Sequence, residues 1–199
     1  RELLEQLRRA CAELGVALVG GHTEVAPGLA HSVIVGTMLG RVEGRPLTTG
    51  GLRAGDLVGM TRSAGLEGTA ILLAEHGDRL RSLPGFPTAS TVALAEGGHL
   101  SVVPEALAAA ACPQVSALHD VTEGGVAAAL HEMAAASGLL IEVSRETIPV
   151  LPSTTAVCDA LGLDPLGLLG SGSLLVGCAA EGAGELEAAL GGLGVPLSW

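Results

Sequence analysis

Apolar residues along the chain follow two periods, one typical of helices and one typical of buried strands. Residues 1–14 carry apolar side chains at helical spacing, and Gly15 is placed to end that helix. Strands are predicted at 16–19, 32–42, 56–61, 115–119, 139–143, 173–178 and from 195 onward. Helices are predicted at 67–76, 88–97, 104–111, 124–137, 152–161 and 184–190. This alternation favours a layered α/β sandwich over an all-helical or all-β fold.

A stretch rich in glycine, proline and threonine interrupts the pattern. It runs from Glu43 to Gly55 (EGRPLTTGGLRAG) and is typical of a linker. We place a domain boundary there, with a first segment at 1–42, a linker at 43–53 and a larger domain at 54–199. The first segment opens inside a helix pattern, and the last residues read as a strand that has just begun. We therefore expect a piece of a longer protein.

Composition narrows the classes of function. Hydrophobic residues make up 48% of the chain, enough for a sizeable core, while aromatic residues make up 1% and the formal net charge is −11. An acidic chain with almost no aromatic rings lacks what nucleic-acid binding needs, so we expect no nucleic-acid partner. There is no lysine, which excludes a Walker A phosphate loop and a lysine Schiff base.

Cysteine usage and hydropathy indicate the compartment. The four cysteines, Cys11, Cys112, Cys158 and Cys178, lie far apart and form no C-x-x-C motif. We interpret them as small buried hydrophobic residues in a reducing environment. Neither a signal peptide nor a run of 18 apolar residues is visible, so we expect a cytoplasmic protein with no membrane partner.

The segment from His119 to Gly125 (HDVTEGG) is the most informative about function, because several candidate functional residues lie close together in it. It leads from a strand into a helix and places Asp120, Thr122 and Glu123 ahead of a glycine pair. Glycines let a ligand approach the backbone, free N–H groups at a helix start attract anions, and carboxylates could hold a Mg²⁺ ion that bridges phosphates. Asp120 and Thr122 could equally be helix caps, and His119 a strand-end residue bonded to the backbone.

Other strand-to-loop elements are weaker signals. In the segment from Gly20 to Glu24 (GGHTE), His22 could contact phosphate, coordinate a metal or occupy a turn. The segments 65–69 and 171–173 also contain glycines, but ordinary strand connections explain them. The pair His131-Glu132 opens like a zinc-protease helix, yet the second histidine position is Ala135, so no zinc pair is predicted.

Taken in order, these segments resemble one superfamily. They are similar to the AIR synthase (PurM)-like superfamily, and within it to AIR synthase-related, HypE-like proteins. The order of the segments is far more specific than any one of them, and the resemblance spans about Val16 to Val195. It rests on GGHTEV at 20–25, GLEGTAIL at 65–72, HDVTEGGV at 119–126, HEMAAASGLLIEV at 131–143 and SGSLLVGC at 171–178.

The resemblance implies an α+β fold, with a mixed sheet flanked by helices in the C-terminal domain. Residues 1–42 would be the tail of a PurM-like N-terminal domain, and 54–199 the C-terminal domain. It also implies ATP and Mg²⁺ as cofactors, a small-molecule substrate, a homodimer formed through the N-terminal domain and a maturation partner protein. The enzyme would activate a carbonyl or carboxamide oxygen by phosphorylation, as in carbamoyl dehydration during hydrogenase maturation.

The resemblance also assigns roles to individual residues. His119 and Asp120 would be catalytic, and Asp120 and Glu123 would hold the metal. Glu123 stands where HypE-type sequences have an arginine, which indicates a paralogue of uncertain substrate. The phosphate contacts would come from Gly20, Gly21, His22, Thr23, Thr122, Gly124 and Gly125.

Two other functions stay open. A purine-biosynthesis AIR or FGAM synthase relative would bind a ribonucleotide phosphate, whereas a non-catalytic dimerising scaffold would bind no nucleotide. The acidic ATP segment of the relatives would lie upstream of Arg1, and the carbamoyl-accepting cysteine of HypE would lie beyond Trp199. We therefore expect the 199 residues alone to be inactive.

Overall fold

The chain folds into two units. The computed structural model describes residues 2–82, 86 and 100–199, and divides the chain into a first unit, Arg1–Arg41, and a second unit, Val42–Trp199. The helix predicted at 88–97 lies outside the described residues. Each unit is described by itself below.

The first unit consists of one helix followed by a segment without further helices or strands among its described residues. Helix α1 (Glu2–Glu13) ends at Gly15, whose φ is 67°. The N–H of Val16 donates to the carbonyl of Cys11, and the N–H of Gly15 donates to that of Ala12, which is the Schellman ending that Gly15 predicts.

The strands predicted at 16–19 and 32–42 are wrong. Neither segment forms a strand or joins a β-ladder among the described residues, and both are almost entirely exposed; Val19 and Leu39 are 94% and 92% exposed. A strand needs a neighbouring strand and a covered face, and the described chain gives these segments neither.

The second unit contains a four-stranded sheet with helices on both faces. The strands are β1 (Leu57–Thr61), β2 (Val115–Asp120), β3 (Leu174–Cys178) and β4 (Leu197–Ser198), in the order β2-β3-β1-β4. The helices are α2 (Leu66–Arg81), α3 (Val103–Ala111), α4 (Gly125–Ser137), α5 (Pro152–Leu161) and α6 (Ala183–Gly191). Single 3₁₀ turns occur at Thr49–Gly51, Arg145–Thr147 and Ala180–Gly182.

The α+β class is confirmed, but the sheet differs from the predicted mixed sheet. All pairings between the described strands are antiparallel. A parallel bridge between Ala64 and Val150 is isolated and lies outside these strands. In the ladders, Met60 lies opposite Leu175 and Asp120 lies opposite Leu174. The carboxyl ends of β1 and β2 therefore meet at the start of β3.

Local signals place the helices of the second unit. Pro104 lies in the first turn of α3, and Pro152 begins α5. Gly138 and Gly162 end α4 and α5 in the left-handed conformation. The helices predicted at 104–111, 124–137, 152–161 and 184–190 are confirmed within a residue or two, and α2 continues past the predicted end to Arg81.

The strand predicted at 139–143 is also wrong. Its apolar alternation is real, because Leu139 and Ile141 pack against the core whereas Leu140 is 92% exposed. The segment pairs with no strand in the described chain, so it does not belong to the sheet.

Two apolar clusters cover the sheet, one on each face. On one face, α4 packs over Met60, Ala117, Val121 and Leu175. On the other, α3 and α6 pack over Val115, Leu174, Val176 and Cys178. A smaller cluster joins α2 to α5 through Leu73, Leu80 and Val157. None of the helices described is both long enough and apolar enough to cross a membrane.

A candidate site where strand ends meet

The carboxyl ends of β1 and β2 are joined through the residues that open β3. The Ser173 hydroxyl donates to the carbonyl of Ser63 over 2.8 Å, and the Ser173 carbonyl accepts the N–H of Val121 over 3.0 Å. The N–H of Leu174 donates to the Thr61 hydroxyl over 3.0 Å. The end of the sheet is thereby closed by buried polar contacts.

The turn at 169–170 extends this network to two more segments. The Leu169 carbonyl accepts the N–H of Gly68, and the N–H of Gly170 donates to the carbonyl of Thr122. Three segments that the sequence presents separately, at 65–69, 119–125 and 171–173, therefore form one loop cluster.

The glycine pair at the start of α4 is required by packing. Gly124 and Gly125 have φ values of 77° and 64°, a region that favours glycine. A Cβ atom on Gly125 would lie 2.4 Å from the carbonyl oxygen of Leu166 and 2.5 Å from that of Leu168. Gly125 therefore faces backbone of the same chain, and its close approach is to residues 166–168.

Two of the N–H groups at this helix start, which were expected to be free, are already bonded. The N–H of Gly125 donates to the carbonyl of Thr122 over 3.1 Å, and that of Ala127 donates to Leu166 over 3.0 Å. The N–H of Ala128 donates to Gly124 over 3.3 Å. At Gly125 and Ala127, an anion would have to compete with carbonyl oxygens that already accept these N–H groups.

The loop that faces Gly125 is itself held by a carboxylate. Asp164 accepts hydrogen bonds from the Arg145 guanidinium at 2.7 and 3.2 Å and from the N–H of Leu166 at 3.0 Å. The hydrogen bond from Arg145, followed by that from Leu166, lowers the pKa of Asp164 below its usual range. The loop is thus fixed where it contacts Gly125.

Asp120 and Glu123 present exposed carboxylates at this strand end. Within the part of the chain that the structure describes, the Asp120 side chain has no hydrogen bond, and no group of three or more His, Cys, Asp or Glu residues could hold a metal ion. Mg²⁺ commonly takes one or two protein carboxylates and completes its shell with water and phosphate oxygens. Two exposed carboxylates suit that mode of binding but not an all-protein metal cage.

His119 lies on the other face of the sheet from Asp120, because successive side chains of a strand alternate. Its Nε2 lies 2.7 Å from Oε2 of Glu132 in α4, and its Nδ1 lies 3.0 Å from the hydroxyl of Thr49. The two residues predicted to be catalytic are therefore not brought together. Both ring nitrogens of His119 already contact side chains, whereas a bond to the backbone was the structural alternative for this residue.

The hydrogen bond between Thr49 and His119 is one of several contacts that the predicted linker makes with β2 and α4. The guanidinium of Arg45 donates to the carbonyl of Val115. A Cβ on Gly50 would lie 2.7 Å from the Ala136 carbonyl oxygen, and one on Gly51 would lie 2.2 Å from that of Ser116. Residues 45–51 thus pack directly on β2 and α4.

A buried ion pair lies beside the strand ends. Arg62, the residue after β1, adopts a φ of 57°, and its guanidinium lies 2.7 Å from Glu105, a side chain with 0% exposure. The contact places a positive charge directly against a fully buried carboxylate. Arg62 also donates to the carbonyl of Gly172 over 2.9 Å.

The family model for the AIR synthase related protein, C-terminal domain, matches residues 53–198. The chain belongs to the AIR synthase-related protein family. The matched range contains the whole sheet and the loop cluster at its end.

Known relatives of this AIR synthase-related chain include a hydrogenase-maturation protein. The carbamoyl dehydratase HypE of Cupriavidus necator is 34% identical over 199 aligned residues, which cover 96% of this chain and 53% of that protein. The chain thus spans about half the length of the curated relatives it matches.

Two solved structures add to the comparison. The hydrogenase maturation protein HypE in complex with ATP matches with a TM-score of 0.55 and 26% identity, over 72% of this chain and 40% of that one. A chain of a HypE–HypF complex matches with a TM-score of 0.57 and 27% identity, over 74% of this chain and 45% of that one.

The segment 20–23 of the first unit, unlike the loop cluster at the end of the sheet, is fully exposed. Gly20, Gly21, His22 and Thr23 are all exposed and belong to no helix or strand. Their predicted role in phosphate binding stays a prediction.

Sequence reasoning missed four residues around these sites. Thr49 lies in the presumed linker, and Glu132 belongs to the rejected zinc motif, so neither was linked to His119. Arg62 and Glu105 are a single basic residue after a strand and an acid in a first helical turn, which usually indicates exposure. No local pattern identifies them as a buried pair.

Proposed function

We propose that the full-length protein is an ATP-dependent enzyme of the HypE type, which activates a carboxamide oxygen by phosphorylation. The observation that carries this proposal is the similarity of 96% of the chain to a carbamoyl dehydratase at 34% identity. The match to a HypE structure in complex with ATP supports the choice of nucleotide.

The proposed chemistry follows from the poor leaving ability of a carboxamide oxygen. Transfer of the terminal phosphoryl group of ATP to that oxygen makes it a phosphate, which leaves readily. Loss of phosphate together with the two protons of the amide nitrogen yields a nitrile carbon, so the overall change is removal of one water. Bound Mg²⁺ supplies charge neutralisation for the phosphates.

We assign roles to the chain's own residues on this basis. Asp120 and Glu123 would hold the metal ion, since both carboxylates are exposed at the strand end. Gly20, Gly21, His22 and Thr23 would contact phosphate. The helix start at Thr122, Gly124 and Gly125 keeps a supporting role, because its N–H groups at Gly125 and Ala127 are already bonded. His119, whose two nitrogens are engaged, positions α4 and residues 45–51.

The domain assignment is part of the same proposal. Residues 1–42 would be the tail of a PurM-like N-terminal domain that forms a homodimer, 43–53 a linker and 54–199 the C-terminal domain. A maturation partner protein is proposed from the match to a HypE–HypF complex. We propose the cytoplasm as the location.

The test is calorimetric titration of ATP with Mg²⁺ into the full-length protein, with Asp120→Ala beside it. Loss of a charged contact should weaken binding by about tenfold or more. Asp159→Ala is the matched control, because this exposed carboxylate of α5 lies outside the loop cluster. Saturable binding of a ribonucleotide phosphate would favour a purine-pathway relative. No ATP binding by the folded protein would leave the scaffold function.

A further inference from the structure

Three side chains from separate elements form a continuous hydrogen-bonded row. The Thr49 hydroxyl lies 3.0 Å from Nδ1 of His119, and Nε2 of the same ring lies 2.7 Å from Oε2 of Glu132. Thr49 belongs to the 3₁₀ turn at Thr49–Gly51, His119 to β2 and Glu132 to α4. A hydroxyl beside an imidazole that a carboxylate orients is the arrangement that activates a hydroxyl as a nucleophile.

The order of these three groups sets the direction of proton transfer. An ionised carboxylate only accepts, so Glu132 holds the ring proton on Nε2 of His119. The lone pair on Nδ1 then faces the Thr49 hydroxyl, at a distance within the range of about 2.6–3.2 Å that general-base catalysis needs. The two ring nitrogens exchange places relative to the triad of serine proteases, but one still accepts a proton while the other donates.

Close packing holds the Thr49 hydroxyl in this position. The turn contacts α4 through Gly50 and β2 through Gly51, where a Cβ atom would collide with the carbonyl oxygens of Ala136 and Ser116. The turn therefore rests on the same two elements that supply the imidazole and the carboxylate. A nucleophile fixed in this way loses little further freedom when it reacts.

The turn can be reached from solvent. Thr49 is half-buried, whereas its neighbours Thr48 and Gly50 are exposed. The N–H of Gly50, the residue after the hydroxyl, makes no hydrogen bond to any residue that the structure describes. It is therefore free to donate to an oxygen that becomes negatively charged beside Thr49.

We propose that Thr49, His119 and Glu132 form an acyl-transfer site, at which Thr49 accepts the acyl group of a small, neutral, activated ester. Oγ1 of Thr49 forms a bond to the acyl carbon, and the bond from that carbon to the leaving oxygen breaks. The hydroxyl proton passes to Nδ1 of His119 and from there to the leaving oxygen. The products are an ester of Thr49 and a free alcohol or phenol.

The surroundings of Thr49 indicate the class of acyl donor. Thr48 and Gly50 are short and exposed, so they offer little apolar surface to hold a long acyl chain. The Glu132 carboxylate and the net charge of −11 disfavour an anionic donor. The site uses no ATP, and its outcome does not depend on that of the proposed function.

The experiment treats the full-length protein with p-nitrophenyl acetate in the absence of ATP. Mass spectrometry of proteolytic peptides locates the acetyl group and follows its appearance over time. The acetyl group should be found on Thr49 and not on its exposed neighbour Thr48. Thr49→Ser should retain the label and Thr49→Val should abolish it, whereas the matched control Thr48→Val should leave the rate unchanged.

Two further variants separate activation of the hydroxyl from its mere exposure. His119→Gln retains a hydrogen-bonding side chain but not a base, so acetylation of Thr49 should slow at least about tenfold. Glu132→Gln should slow it about threefold, a small effect because this side chain is 56% exposed. Glu142→Gln, outside the row, should leave the rate unchanged.

Three outcomes would overturn the proposal. Acetylation of Thr49 that is no faster than that of Thr48 in the unaltered protein would show an ordinary hydroxyl. An unchanged rate in both His119→Gln and Glu132→Gln would show that the row only holds the turn in place. Loss of the label in Thr49→Ser, which keeps the hydroxyl, would exclude this oxygen as the nucleophile.

Discussion

Arg62 and Glu105 form an ion pair of 2.7 Å in which the carboxylate is fully buried and the arginine side chain is 19% exposed. The pair connects the end of β1 to α3, and Arg62 also reaches the carbonyl of Gly172 ahead of β3. One side chain therefore connects three elements at the edge of the loop cluster.

Breaking this pair from one side should destabilise the fold strongly. Arg62→Met leaves the Glu105 carboxylate buried without its cation, and we expect a loss of about 3–5 kcal/mol in the free energy of unfolding. The double variant Arg62→Met with Glu105→Leu should recover much of that loss, because no isolated charge remains. Urea unfolding measures both. A loss below about 1 kcal/mol for Arg62→Met would show that the pair contributes little.

The packing of Gly125 can be separated from its backbone conformation. Gly138 has nearly the same φ, 65° against 64°, but a Cβ there would meet nothing within 4 Å. Gly138→Ala should therefore cost only about 1 kcal/mol. Gly125→Ala should cost at least about 2 kcal/mol more, since its Cβ would collide with the carbonyls of Leu166 and Leu168. Equal losses in thermal unfolding would contradict the close approach.

The tautomer of His119 follows from its partners. An ionised Glu132 can only accept, so the proton should lie on Nε2, leaving Nδ1 to accept from the Thr49 hydroxyl. Nitrogen-15 NMR of the imidazole should show Nε2 protonated in the neutral ring. Glu132→Ala should weaken that preference, whereas Glu142→Ala, in the segment after α4, should leave it unchanged. A proton on Nδ1 in the unaltered chain would contradict this geometry.

The docking of residues 45–51 gives a related prediction. Thr49→Val keeps the shape of the side chain but removes the hydroxyl that bonds His119, so the 3₁₀ turn should open more often. The N–H of Gly51, which donates to the carbonyl of Thr48, should then exchange faster by about threefold or more. Thr49→Ser, which restores a hydroxyl, should return the exchange rate toward that of the parent chain.

Acid should weaken the fold through Asp164. Its folded pKa is lowered by Arg145 and by the N–H of Leu166, so its ionised form stabilises the fold above the unfolded pKa. That contribution is lost as the pH falls below about 4, through the folded value. Both side chains are more than half exposed, so we expect at most about 1 kcal/mol. Asp164→Asn should remove this part of the acid dependence, whereas Asp159→Asn should retain it.

Much of the second unit could be predicted because its signals are local. Gly138 and Gly162 end helices through their own backbone conformation, and the apolar run at Leu174–Cys178 forms a fully buried strand. The segments 32–42 and 139–143 have equally good strand patterns, but a strand exists only where another strand is available for pairing. That partner is a property of the whole fold rather than of the segment.

The candidate site, too, could be predicted from the sequence only in part. The glycine pair at Gly124 and Gly125 was predicted to matter, but the contact that requires Gly125 comes from Leu166, far along the chain. His119 was singled out without its partners, since Thr49 and Glu132 come from two other elements. Residue type indicates where chemistry can occur, while the contacts that direct it arise from packing.

The measurement that tests the proposed function most directly is the intact mass of the full-length protein, after carbamoylation of the acceptor cysteine that this proposal requires. Incubation with ATP and Mg²⁺ should remove the mass of one water, and Asp120→Ala should slow that loss while Asp159→Ala does not. A carbamoylated, folded protein whose mass stays unchanged with ATP and Mg²⁺ would contradict the assignment as a carbamoyl dehydratase.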